Sequence, residues 1–178
     1  DGTIGTTYTI TYTSVGLTVA TATVTLTGIS CDGTTFTCRV GDIGPGGGKI
    51  FYVAPTTFTQ LGATGSMCST ACKYLEAAPT SNIYAWSGNT SVAIGATAQG
   101  TAIGTGYANT LAIVGQADGG ATAGKASTIS RAYSGSNALT DWFLPSKDEL
   151  NELYLQRAIV GGFFNNAYWS SSESGASI

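Results

Sequence analysis

Asp141-Trp142-Phe143-Leu144-Pro145-Ser146-Lys147-Asp148-Glu149-Leu150 carries the clearest local instruction in the chain. Ser146 is placed to cap a helix, and Glu149, three residues on, completes a capping box by reaching back to the cap. Beyond it, Leu150, Leu153, Tyr154 and Ala158 recur at i, i+3, i+4 and i+8, one face of a helix that should end near Gly161-Gly162. Asp148 and Glu152 share the opposite face, one turn apart. A carboxylate pair invites an acid/base reading, but acids near a helix N-terminus are favoured by the helix dipole without any catalytic task. We read them as surface acids.

Moving toward the N-terminus, residues 125–133 and 106–116 are expected to form short helices, the second around Leu111, Ile113 and Val114. Residues 54–91 read as irregular chain holding a strand-like Lys73-Tyr74-Leu75-Glu76, the aromatic Tyr84-Ala85-Trp86 and a glycosylation sequon at Asn89-Thr90-Ser91. Ile50-Phe51-Tyr52-Val53 is an apolar strand, and the glycine cluster of residues 41–48 precedes it. A phosphate loop is the tempting reading of that cluster. It fails because Ile50, not Ser or Thr, follows Lys49, and because Ile43 stands where the first glycine belongs. The cluster is a turn. Further back, Tyr8, Ile10 and Tyr12 alternate with threonines, as do Val24 and Leu26, which is the period-two signature of half-buried strands. The expected fold class is α+β, with a small all-β segment over residues 1–30 and a larger domain over residues 31–178.

Only 10% of the residues are charged, and the formal net charge is −3. That is well below the usual share of about a quarter. Such a surface offers no basic field to phosphates, so nucleic acid is not expected as a partner. Histidine is absent, which removes the commonest general base and metal ligand together. The four cysteines, Cys31, Cys38, Cys68 and Cys72, allow three pairings. Local bridges, Cys31 with Cys38 and Cys68 with Cys72, are preferred over the crossed pairings. Their spacings do not form the paired knuckles of a zinc site, and no metal or cofactor is expected. Disulfides imply an oxidising compartment. No apolar run reaches the length of a membrane span, about 20 residues.

The Asp141-to-Leu150 block, taken with Tyr168-Trp169-Ser170-Ser171-Ser172-Glu173, Tyr74-Leu75-Glu76-Ala77-Ala78-Pro79, Ile103-Gly104-Thr105-Gly106 and the glycine cluster, forms an ordered set. It resembles the bacterial extracellular domain family typified by the C-terminal domain of the Legionella collagen-like adhesin. The likeness covers roughly residues 39 to 174, and the preceding strands resemble the end of an immunoglobulin-like module. The resemblance implies a C-type-lectin-like fold, a twisted antiparallel sheet with two helices and long loops. It also implies surface binding of glycans or protein partners. The lectin calcium motifs are not present, which sets calcium-dependent sugar binding aside. Relatives continue past the Trp-Ser-Ser-Ser-Glu block with further strands, whereas this sequence stops at Ile178. The implied consequence is an unpaired sheet edge at Ile50 to Val53, filled by the Tyr8 to Tyr12 strand of a neighbouring copy.

The leading expectation is therefore a non-catalytic binding or adhesion module, secreted or displayed on a cell or virion surface. Its ligand contacts are expected at Trp86, Asn89, Ser170, Ser171 and Glu173, while Trp142 and Trp169 are expected in the core. The alternative is a structural assembly subunit, a homo-oligomer whose sheet is completed by neighbouring chains. A formylglycine-generating type of enzyme would need reactive cysteines, which two bridges would consume, so no enzyme is expected.

Overall fold

Ser146 caps its helix as the spacing predicts: its hydroxyl accepts from the Glu149 N–H, and the Glu149 carboxylate accepts from the Ser146 N–H at 2.7 Å. The computed structural model describes residues 7–12, 20–25, 37–63, 69–79, 82–117, 119–135 and 138–175, the first two stretches by backbone alone. The chain divides into two compact units, Asp1–Ser30 and Cys31–Ile178. In the first, β1 (Thr7–Tyr12) pairs antiparallel with β2 (Ala20–Thr25), with Thr7 opposite Thr25 and Tyr12 opposite Ala20. Among the described residues the second unit holds β3 (Lys49–Phe58), β4 (Cys72–Ala77) and four α-helices: α1 (Gly106–Gly115), α2 (Ala126–Ala132), α3 (Lys147–Leu155) and α4 (Arg157–Val160). The fold is mixed α+β. No described helix is long and apolar enough to cross a membrane.

β3 and β4 form an antiparallel pair in which Ile50 faces Glu76 and Val53 faces Tyr74, with the register shifting twice along the ladder. The expectation of an unpaired edge at Ile50 to Val53 is corrected at Ile50, whose far side is paired. β3 carries β4 on one side, and on the other the Ile50 N–H donates to Asp42 O (2.9 Å) while Ile50 O accepts from the Gly41 N–H (2.8 Å). The glycine cluster itself folds back to supply that second partner. Its turn is closed by Gly47 N–H to Gly44 O (3.0 Å) and Gly44 N–H to Gly48 O (2.9 Å).

Among the described residues the apolar interior of the second unit forms three separate clusters. Cys38 and Ile50 form one; Phe51, Leu75 and Ala77 another; Trp86, Ala98 and Ile113 the third. Domains ordinarily bury one contiguous core. Between these clusters long loops are held by carboxylates, each accepting two main-chain N–H groups. Glu76 takes Gly46 (3.0 Å) and Gly48 (2.5 Å), Glu149 takes Ser146 (2.7 Å) and Gly104 (2.8 Å), and Glu173 takes Ile94 (2.7 Å) and Gly95 (2.8 Å). Each of the three reaches a segment at least 28 residues distant in sequence. In a chain with so few charges, these acids substitute for the secondary structure that the loops lack.

Cys38 and Cys72 are each in a disulfide. Cys31 and Cys68, the partners expected for them, lie outside the described residues.

The helix over Leu150 to Ala158 differs from its expectation. It breaks at Gln156, where φ is −96° and ψ is 7°, so Ala158 falls in a new short helix that starts at Arg157 and the predicted stripe is not continuous. Leu150 and Leu153 are half-buried, but Tyr154 is exposed with the Arg157 guanidinium over its ring at 4.1 Å. The fully buried residue of α3 is the acid Glu149.

Burial raises the pKa of Glu149 above the ordinary carboxylate value, against the N–H donors of Ser146, Gly104 and Gly106 that pull it back. Glu76 is raised in the same way, by burial and also by the nearby charge of Asp141, against Gly46 and Gly48. The folded chain therefore holds these two protons more firmly than the unfolded chain. The stability from that source is full below about pH 4.5, the ordinary value, and is lost as the pH rises through the raised values. Thermal melts from pH 4 to 8 should show this loss as a difference in slope between the wild type and Glu149→Gln. Parallel curves would contradict the assignment.

Candidate functional site

The residues expected to contact ligand are instead drawn together as a fastening inside the unit. Trp86 is 3% exposed, packs with Ala98 and Ile113, and donates its Nε1–H to Ser170 O at 2.7 Å. Ser171 is fully buried; its N–H donates to Pro145 O (2.7 Å) and its Oγ accepts from Asn109 Nδ2 (3.3 Å). Glu173 is buried too, its carboxylate spent on the N–H groups of Ile94 and Gly95 and its own N–H on Ala98 O (2.8 Å). Ser172 adds a bond to Gly100 O (2.7 Å) and accepts from the Lys147 N–H (2.9 Å). The Trp-Ser-Ser-Ser-Glu segment thus ties the 94–100 loop, α1 and the start of α3 into one piece. Trp86, Ser171 and Glu173, expected to contact ligand, thus hold their polar groups against partners inside the protein, while Ser170 is half-buried and its C=O accepts from Trp86. Asn89 accepts from the Ser91 N–H at 3.0 Å and borders a shallow opening of about 500 Å³ with Val92 and Ile94.

A larger cavity, about 1050 Å³, runs along β4 and is closed by residues 82–84, α2, residues 139–145, α3 and residues 161–169. Aromatic rings dominate its walls: Tyr84, Tyr133, Trp142, Phe164, Tyr168 and Trp169. Tyr133 and Trp142 meet edge to face at 4.8 Å, and the Tyr168 hydroxyl accepts from the Phe164 N–H at 2.7 Å. No family model, curated protein or solved structure matches this chain.

The exposure of the tryptophans reverses the expectation from sequence. Trp169 is 43% exposed on the groove wall, tethered through Nε1–H to Tyr84 O at 2.9 Å, and Trp142 is half-buried. Both stand among apolar neighbours in sequence, which says nothing about which side of the segment meets solvent. Ile83 (74% exposed) and Phe164 (56%) complete an apolar rim. Single exposed apolar residues are ordinary, whereas these line one groove together.

Two polar groups in the same groove lack partners. Gln60 is 5% exposed, and neither its Nε2 nor its Oε1 has a hydrogen-bond partner; the Trp142 Nε1–H is also unsatisfied. Buried polar groups of this kind each cost about 1–3 kcal/mol when left unpaired. A ligand offering a donor and acceptors at those points recovers that cost. The sequence offers no role for Phe163 and Phe164, and the one signal available was a pair of aromatics immediately after Gly161-Gly162, where a loop begins.

Alanine in place of Trp86 should lower stability by about 3–5 kcal/mol, since a buried indole leaves a large cavity. The same change at Trp169 should cost about 1 kcal/mol or less, as expected of a partly exposed side chain. Urea unfolding of both variants checks the ranking, and equal losses would contradict the placement of Trp169 on the groove wall.

Proposed function

We propose that this chain is a non-catalytic binding module, extracellular or surface-displayed, and that its ligand lies in the aromatic groove along β4. The observation that carries the reading is the coincidence, in one cavity, of an apolar rim with the unpartnered Gln60 amide and Trp142 Nε1–H. Ligand sites are mostly apolar with a few placed polar groups, and this groove has that composition. The acids with perturbed pKa values do not argue for catalysis, because Glu76 and Glu149 are spent on main-chain N–H groups of their own fold. A C-type-lectin-like architecture with an immunoglobulin-like segment before it belongs to the same proposal, as do the two local disulfides.

One observation favours the second reading, an assembly subunit: an edge of the β3–β4 pair forms part of the groove.

A glycan array and an array of extended apolar peptides, probed in parallel with the wild type and with Phe164→Asp, test the proposal. Phe164 is exposed, so the variant keeps the fold. Binding that disappears in Phe164→Asp supports the groove as the site. Binding that is unchanged by it places the site elsewhere.

A further inference from the structure

Ile50 shows which way the main chain of β4 faces. Its N–H and C=O are both spent on Asp42 and Gly41, on the side away from β4, although it lies opposite Glu76 in the ladder. In an antiparallel pair, residues facing each other without mutual hydrogen bonds both turn their main-chain groups outward. The N–H and C=O of Glu76 therefore point to the far edge of β4. No strand pairs with that edge among the described residues, and residues 73–79 border the groove. The groove is thus an apolar slot with a row of main-chain donors and acceptors along one side.

Resting on the reading of this groove as the binding site, we propose that its occupant is β1 (Thr7–Tyr12) of a second copy of the chain, added as a strand along β4. Strand addition matches main-chain groups to an exposed edge and places alternate side chains in pockets. The occupant must therefore alternate, and Tyr8, Ile10 and Tyr12 alternate with threonines in β1. β1 also brings no charge of its own into the groove: no charged residue stands between Asp1 and Asp32, and of the acids that line it Glu76 and Glu149 are turned to their own N–H partners.

Size and packing favour a stretch of chain over a small molecule. At about 1050 Å³ the groove reaches the upper end of small-molecule sites, which span about 300–1,000 Å³. It touches Ile50 of the first apolar cluster and Phe51 and Leu75 of the second, so a strand lying there joins them into one core. Peptide groups also supply the donor and acceptor that Gln60 and Trp142 lack. The donor gains as well. Among the described residues β1 and β2 make a sheet of two strands, and a two-stranded ribbon is marginally stable by itself.

Sedimentation of the full chain across concentrations should show self-association, weakened about tenfold or more by Ile10→Asp on the donor side and by Phe164→Asp on the groove side. A synthetic peptide with the sequence of residues 3–14 should bind the Ile10→Asp chain, change the fluorescence of Trp142 and Trp169, and dissociate wild-type oligomers. A monomer at every concentration, with the Glu76 amide protected from exchange, overturns the proposal in favour of the chain's own strand. Failure of the peptide to bind the folded Ile10→Asp chain overturns it too. If the peptide fails while array binding still depends on Phe164, the groove remains the site and only the strand is wrong. If Phe164→Asp changes neither association nor any binding, both readings fall.

Discussion

Replacing Glu149 with alanine is expected to lower the stability of the chain by about 3–5 kcal/mol, more than any other single change on its helix. The carboxylate closes the capping box of α3 through Ser146 and also accepts from the Gly104 N–H, 45 residues away. The Gly106 N–H, at the first residue of α1, is a further donor to it. One side chain therefore serves the starts of two helices. Its removal leaves N–H groups without their acceptor, together with a void where a fully buried residue stood. Glu149→Gln keeps one acceptor oxygen but turns an NH2 toward a donor, so it should fall between wild type and alanine. Ser146→Ala, which removes only the hydroxyl of the cap, should cost about 1 kcal/mol. Chemical denaturation of the three variants gives the order, and a Glu149→Ala protein as stable as Ser146→Ala would contradict the double role.

Gly48→Ala should be nearly as damaging, at about 3 kcal/mol or more, for a reason that has nothing to do with backbone freedom. A Cβ at residue 48 would stand 1.9 Å from Ala77 O and 2.8 Å from Ala77 C, atoms of the β4 main chain that cannot swing aside. It would also press on Glu76 Oε1 at 3.1 Å, the oxygen that the Gly48 N–H itself contacts. β3 and β4 must separate, or the Glu76 clamp must open. Gly46→Ala meets the Trp142 ring at 2.3 Å and Glu76 Oε1 at 3.0 Å, atoms of side chains rather than of a strand's main chain, so it should be milder. Thermal midpoints of the two alanine variants measure the contrast. The opposite order would mean that the turn, rather than the close approach of strands, sets the requirement for glycine.

These two predictions mark where the sequence was legible. The capping box at Ser146 and Glu149 is read from a spacing of three residues, and β4, α1 and α2 stand close to their expected spans because each follows from local periodicity. The second task of Glu149 is not local. Its partner at Gly104 becomes visible only when a loop is folded against α3, and the same holds for Glu76 with Gly46 and for Glu173 with Gly95. Acids that bond to main-chain N–H groups leave no partner residue type in the sequence to search for. The Ser170-to-Glu173 segment suffered from this most, because hydroxyls and an acid beside an aromatic suggest recognition as readily as internal fastening. The groove was hidden for a related reason. Its rings come from six separate stretches, and nothing in Tyr168-Trp169 or Gly162-Phe163-Phe164 announces that they converge on the edge of β4.

The central claim, that the aromatic groove along β4 is where this protein holds its partner, is tested most directly by determining an experimental structure of material purified at native concentration. The account predicts continuous density in the groove beside residues 73–79, with acceptors near the Trp142 Nε1–H and both a donor and an acceptor near Gln60. A groove filled only by solvent, in a sample shown to carry its native ligand or neighbouring copies bound elsewhere, would contradict it.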